Sequence, residues 1–177
     1  MNLNHQAAPQ IADQMIRKVL DQLESIFMPH CSLLSEDQPG RAYYGFNFQL
    51  GNKNFKFRKA KITPRKVGLF VALWKRDSGG QTIPYTADDP FDYYLILVEQ
   101  DQHCGLFVFP KQALIEHEIL TAGCQEGKRG FRIYPDWSIP TNKQATKSKQ
   151  WQHTYFVDCC GSPQEAKNKL THILQSN

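Results

Sequence analysis

Nine lysines and arginines fall between Lys53 and Arg76, and no aspartate or glutamate interrupts them. Phenylalanine, valine, leucine and tryptophan are interleaved with the charges, so the block reads as strands rather than a loose basic tail. Lysine and arginine neutralise phosphates, and an exposed aromatic ring stacks on a base. A basic sheet face therefore suits a polyanion, nucleic acid first among them. Period-two alternation sets Phe55, Phe57, Lys59 and Lys61 against Lys56, Arg58, Ala60 and Ile62. Neither side is cleanly apolar, which predicts a twist or bulge near Lys59. Around Pro64, the residues Lys61, Thr63, Arg65 and Lys66 supply a hydroxyl and three charges for phosphate contacts, or form an ordinary turn.

A second block spans Lys128 to Lys149, with six bases against Asp136. Gly127 and Gly130 allow close backbone approach beside Lys128, Arg129 and Arg132. Tyr134 and Trp137 are candidates for an aromatic wall. Helical spacing over Lys143 to Gln152 brings Lys143, Lys147 and Gln150 together and sets Gln144 near Trp151. Their amides and amines suit phosphates or base edges. Between the two blocks, Asp77 to Glu126 carries nine acids and the single base Lys111. The chain is thus basic, acidic, basic, and folding the outer blocks together would build one cationic face.

The acidic middle is where a metal-dependent nuclease would show itself, because Mg²⁺ takes hard oxygen ligands. Asp88, Asp89, Asp92 and Glu99 surround one predicted strand. Asp92 is the candidate ligand, with Lys61 or Lys111 as the accompanying lysine and Glu24 as a distant second acid. A restriction-endonuclease-like site also needs an acid-x-lysine element on the next strand, and GLFVFPK lacks its acid. Neither metal nor cofactor is therefore expected outside that nuclease alternative. The six histidines make no H-x-x-x-H or H-x-H pair, and no phosphate-binding P-loop, nucleophile elbow or dinucleotide fingerprint is present.

The elements that must position these groups are legible in outline. Ile11, Met15, Val19, Leu23 and Phe27 predict a helix over about 11–28, and Cys31 to Gly40 reads as a loop. Strands are predicted at Tyr43–Leu50, Asn54–Ile62, Gly68–Trp74, Phe91–Glu99, Gly105–Phe109 and Phe131–Tyr134. Helices follow at Lys111–Leu120, Lys143–Gln152 and after Ser162, where Pro163 and Glu165 complete a start signal. At 177 residues, with no repeat or linker, the expectation is a single α+β domain over 1–177. Its central sheet should be mainly antiparallel and flanked by helices, with a restriction-endonuclease-like arrangement as one variant. Met1 to Gln14 lacks a signal-peptide pattern, apolar runs are too short for a membrane, and five cysteines are odd in number. These features predict a cytoplasmic protein without a membrane partner.

The order of motifs resembles the MepB family of small bacterial proteins. Phe57-Arg58-x-Ala60-Lys61-x-Thr63-Pro64-x-Lys66-x-Gly68-x-Phe70-Val71 leads to Trp74-Lys75-Arg76 and then Asp89-x-Phe91-Asp92. Gly105-x-Phe107-x-Phe109-Pro110-Lys111 follows, and then Gly127-Lys128-Arg129. Arg132-x-Tyr134-Pro135-x-Trp137, Lys143-Gln144-Ala145 and Gln150-Trp151-Gln152 close the series. The resemblance covers about 57–156 and implies a bacterial cytoplasmic protein without bringing an activity or a ligand. Its characteristic positions pick out Arg58, Lys61, Lys66, Lys128, Arg129, Arg132, Lys143, Gln144 and Gln150, with Asp92. Several of these are expected to converge on one groove that binds DNA or RNA mainly through phosphates. The alternatives are a Mg²⁺-dependent nuclease or phosphodiesterase of atypical nuclease-like fold and a protein-interaction or regulatory module without nucleic acid, and a pocket for a small anion is also open.

Overall fold

The computed structural model describes residues 31–37 and 44–176. The helix expected over about 11–28, and Glu24 with it, lies outside the described residues. Two strands form the centre, β8 (Tyr93–Gln100) and β9 (His103–Pro110), paired antiparallel over their full length. Both are near-continuous apolar runs, the pattern of strands buried on both faces. Alternation then divides their side chains between two cores. Tyr94, Ile96 and Val98 meet Leu69, Val71, Phe107 and Phe109 on one face, while Tyr93, Leu95 and Leu97 meet Phe48, Phe55, Phe57 and Leu170 on the other.

Around this pair the main sheet has six strands in the order β1-β2-β3-β8-β9-β11. Its neighbours are antiparallel except β3 (Lys53–Lys59) and β8, which run parallel. β2 (Phe46–Leu50) and β3 form a hairpin whose rings Phe48 and Phe55 stack at 4.9 Å, and Phe55 stacks in turn on Tyr93 of β8 at 5.1 Å. The segment expected as a loop from Cys31 instead forms β1 (Cys31–Glu36), an edge strand paired with β2. Backbone pairing decides that strand, because its short sequence carries no strong alternation of its own. β11 (Phe156–Asp158) closes the other edge against Phe107, Leu106 and Gly105. At Gly105 an added Cβ would sit 2.5 Å from the Phe156 ring, so this close approach requires glycine.

The irregularity expected near Lys59 is a change of sheet. Ala60 donates its N–H to Leu97 O, and the chain then leaves the main sheet as β4 (Lys61–Ile62). A turn through Pro64 returns it as β5 (Leu69–Ala72), which pairs with β10 (Gly130–Ile133) to make a three-stranded sheet in the order β10-β5-β4. β6 (Trp74–Arg76) and β7 (Thr82–Pro84) add a small hairpin that the sequence reading did not separate. Three helices follow in the described chain: α1 (Lys111–Glu116), α2 (Lys143–His153) and α3 (Pro163–Gln175). Asn142 caps α2 by accepting the Ala145 N–H at 2.9 Å. Ser162 occupies the start of α3 with Pro163 behind it but makes no side-chain cap. Leu170 and Ile173 press α3 onto the core that holds Phe48. The result is an α+β fold with a mainly antiparallel central sheet. Among the described residues, no helix is long and apolar enough to cross a membrane.

Candidate nucleic-acid interface

The small sheet and α2 enclose a cleft of about 730 Å³. Its walls carry Lys128, Arg132 and Lys147, with the amides of Gln144 and Gln150 between them, and no carboxylate among the described residues lines it. Charge of one sign in a concave site focuses the field on an anion. α2 is held in place by Trp151, whose ring meets Phe109 at 5.1 Å and stacks on His117 at 4.0 Å. Burial lowers the His117 pKa from its ordinary 6.5, and Lys128 pushes the same way against the opposing pull of Glu116. The second anchor is Gln152, 1% exposed. Its amide accepts the Tyr134 N–H and donates to Arg132 O, each at 2.9 Å, so it fixes the end of β10 to the helix. The sequence reading assigned the amides of this helix to phosphates or base edges, and nothing in the pattern distinguished the buried Gln152 from the exposed Gln150.

Five of the residues singled out from sequence meet in this cleft: Lys128, Arg132, Tyr134, Gln144 and Gln150. Lys147, noted for its helical spacing, joins them, and so does His117, which no motif marked. Tyr134 is buried beside Gly68, where φ is +78° and an added Cβ would lie 2.7 Å from the tyrosine ring. Arg132 spends its guanidinium on the β4–β5 turn, donating to Thr63 Oγ1 and to the carbonyls of Val67 and Gly68. That turn presents Arg65 and Lys66, both exposed, with Arg65 at a positive φ of 64°. Lys61 stands exposed at its base, on the rim of a shallow depression with Tyr44 and Glu99. Lys143 is exposed at the start of α2 outside the cleft lining. Arg129 turns away, donating to Thr82 O at 2.9 Å and pairing with Glu126.

Other expectations are corrected. Arg58, read as a phosphate contact, is 1% exposed and ion-paired to Asp37. It lies on β3, which is interior to the main sheet, so the mixed alternation of Phe and Lys/Arg marks two buried faces rather than one open one. Trp137 is no wall of the cleft: it stacks on His103 at 5.0 Å and donates to Gln100. Among the described residues the nuclease constellation does not assemble. Asp92 accepts the Asn54 N–H at one end of β3, whereas Lys61 follows the other end. From Asn54 to Lys59 the strand rises five times, roughly 16 Å. Lys111 donates its ammonium to the carbonyls of Ala87 and Asp89. Among the described residues, no cluster of three or more His, Cys, Asp or Glu side chains is placed to hold a metal ion.

The fold and this site define an α+β protein with a cationic cleft between a small sheet and a polar helix. The chain belongs to the MepB-like family, whose model matches residues 37–158. The crystal structure of MepB is similar over 82% of this chain and 98% of that one, at 33% identity and a TM-score of 0.73. A bacterial homing endonuclease, I-Ssp6803I, aligns over 85% of this chain and 91% of its own, at 14% identity and a TM-score of 0.43, a likeness too slight to carry any argument. No curated protein matches the chain in sequence.

Proposed function

We propose that this chain binds nucleic acid, holding backbone phosphates in the cleft between β10 and α2. The observation that supports the reading best is the lining itself: Lys128, Arg132 and Lys147 face one concave surface that has no carboxylate among the described residues. Amide side chains beside those cations offer donors to phosphate oxygens without adding negative charge. The β4–β5 turn, tied to the same surface by Arg132, extends it with Arg65 and Lys66. Recognition of this kind tracks the backbone rather than the bases, so affinity depends on salt more than on sequence.

Titration of a labelled duplex and a labelled single strand at low and moderate salt tests the proposal. Binding should be saturable at low salt and fall steeply as salt rises, with little change between unrelated sequences. Undetectable binding of either form at low salt would sink it. The same assay with Mg²⁺ and intact-substrate gels separates binding from cleavage.

A further inference from the structure

A second cleft, of about 390 Å³, opens over β2 and β3 and shares no lining residue with the first. Lys56, Tyr85 and Asp89 of its lining belong to a charged cluster that the cationic cleft does not use, whose other members, Asp37, Arg58 and Lys75, stand outside the lining. Lys56 donates to Asp37 Oδ2 and to Asn47 Oδ1, each at 2.7 Å. Arg58 donates to the same Asp37 oxygen, and the Tyr85 hydroxyl reaches it at 3.3 Å. Beside them Lys75 grips both oxygens of Asp89, at 2.6 and 2.7 Å. Lys56 and Asp37 are each 6% exposed.

Two features of this cluster point outward. Three cations, Lys56, Arg58 and Lys75, stand against two carboxylates, Asp37 and Asp89, among the described side chains. An ammonium has three N–H groups. Two of those on Lys56 reach oxygens, and among the described residues the Tyr85 ring is a further neighbour, 4.6 Å from Nζ to its centre. Burial accordingly lowers the Lys56 pKa, with Asp37 opposing it. At the mouth, the side chains of Gln49 and Asn54 hydrogen-bond to no other described residue. Phe48, Phe55 and Phe91 supply an apolar wall.

Fold stability gives no reason to keep such a cluster, since apolar residues of the same volume pack a core as well or better. Concentrations of perturbed, partly compensated charge under a cleft are instead a mark of ligand sites. The ligand must be anionic, to balance the excess cation. It should carry several acceptors, because Lys56 and the amides of Asn47, Gln49 and Asn54 are donors around one space. It should also have a ring or apolar part to lie along the narrow edges that Phe48, Phe55 and Phe91, each 2–4% exposed, leave at the cleft. We infer that the second cleft binds a phosphate monoester of nucleotide size, its phosphate directed at Lys56 and its ring against the Phe48, Phe55 and Phe91 wall. A free mononucleotide and the phosphorylated end of a strand share that chemistry.

Calorimetric titration of the full chain with a 5′-mononucleotide, the matching nucleoside and inorganic phosphate tests the site. The mononucleotide should bind about tenfold or more tighter than the nucleoside, with phosphate competing, as for a charge-assisted contact. K56M should lose that preference. N54A, which keeps the Asn54 backbone bond to Asp92, covers the case in which K56M fails to fold, and should weaken binding by roughly threefold or more. K128Q/K147Q, which disables the first cleft, should leave mononucleotide affinity unchanged, so the two sites fail separately. With that double variant, displacement of the mononucleotide by a 5′-phosphorylated but not a 5′-hydroxyl oligonucleotide makes the strand end the source. Absence of displacement makes it the free nucleotide, and either result supports the site. Equal affinity for nucleotide and nucleoside overturns the proposal, as does absence of saturable nucleotide binding, or unchanged binding in both folded K56M and N54A.

Discussion

Arg132 donates to the Thr63 hydroxyl at 2.5 Å, across 69 residues of sequence, and thereby ties the two basic blocks together. Its other terminal nitrogen reaches the carbonyls of Val67 and Gly68 at 3.2 and 3.1 Å. One planar fork thus closes both arms of the β4–β5 turn onto β10. The charge of Arg132 faces the cleft while its hydrogen-bonding capacity is spent on geometry. Together with the pairing of β4, β5 and β10, that fork fixes the place of Arg65 and Lys66 relative to Lys128.

Arg132→Lys separates charge from geometry, because a lysine keeps the former and loses the bridging fork. The expected result is nucleic-acid binding weakened by about tenfold with a nearly unchanged salt slope, and faster proteolytic nicking between Pro64 and Gly68. Affinity equal to the parent in R132K would show that the tether does not matter to binding.

Lys128 and Lys147 make a different prediction, since neither ammonium donates to another described group and both residues line the cleft. Lys128→Gln and Lys147→Gln should each reduce the slope of log affinity against log salt by about one and weaken all sequences alike. Arg129→Gln should do less, because Arg129 already serves Thr82 and Glu126 outside the cleft. Equal slopes for all three variants would argue against phosphate binding in this cleft.

His117 should make that binding pH-dependent. Burial and the neighbouring Lys128 hold its pKa below 6.5 in the free protein, with Glu116 opposing. A phosphate in the cleft favours the imidazolium, raises the pKa and so couples binding to proton uptake. Affinity should rise as pH falls from about 7.5 to about 5.5. His117→Gln should flatten the profile while leaving affinity at the upper pH close to that of the parent. A parent profile already flat over this range would remove His117 from the site.

The parts of this architecture that read directly from sequence are those whose signal is local. β8 and β9 are long apolar runs, α2 carries its cap and spacing, and Pro64 marks its turn. The cleft was half legible for the same reason, since Lys147 and Gln150 fall on one helical face and Lys128 and Arg132 flank one strand. What stayed hidden depends on partners distant in the chain. β11 has three residues and is a strand only because Phe107, Leu106 and Gly105 lie opposite. Arg58 looked like a surface cation until Asp37, Tyr85 and Tyr94 gathered around its guanidinium. Asp37 attracted no attention within a presumed loop, yet pairing of β1 with β2 brings it over Lys56 and Arg58, 19 and 21 residues away.

That carboxylate should dominate the acid response of the fold. Burial alone would raise the Asp37 pKa, but Arg58 and Lys56 outweigh it and hold the pKa below 3.8. A carboxylate depressed in this way contributes stability that is complete above its unfolded pKa and is lost as pH falls through the lower folded value. Asp37→Asn keeps the shape and deletes the charge, leaving Lys56 and Arg58 buried without their counterion. Urea unfolding near neutral pH should register a loss of about 3–5 kcal/mol. The gap from the parent should narrow below about pH 4, where the parent begins to lose the same contribution. Replacing the cluster together, as D37L/K56M/R58M, should recover most of the loss, because no buried charge then lacks its partner. A deficit in D37N that stays below about 1 kcal/mol, or that is as large at pH 3 as at pH 7, would mean that the Asp37 cluster is not the acid-sensitive element.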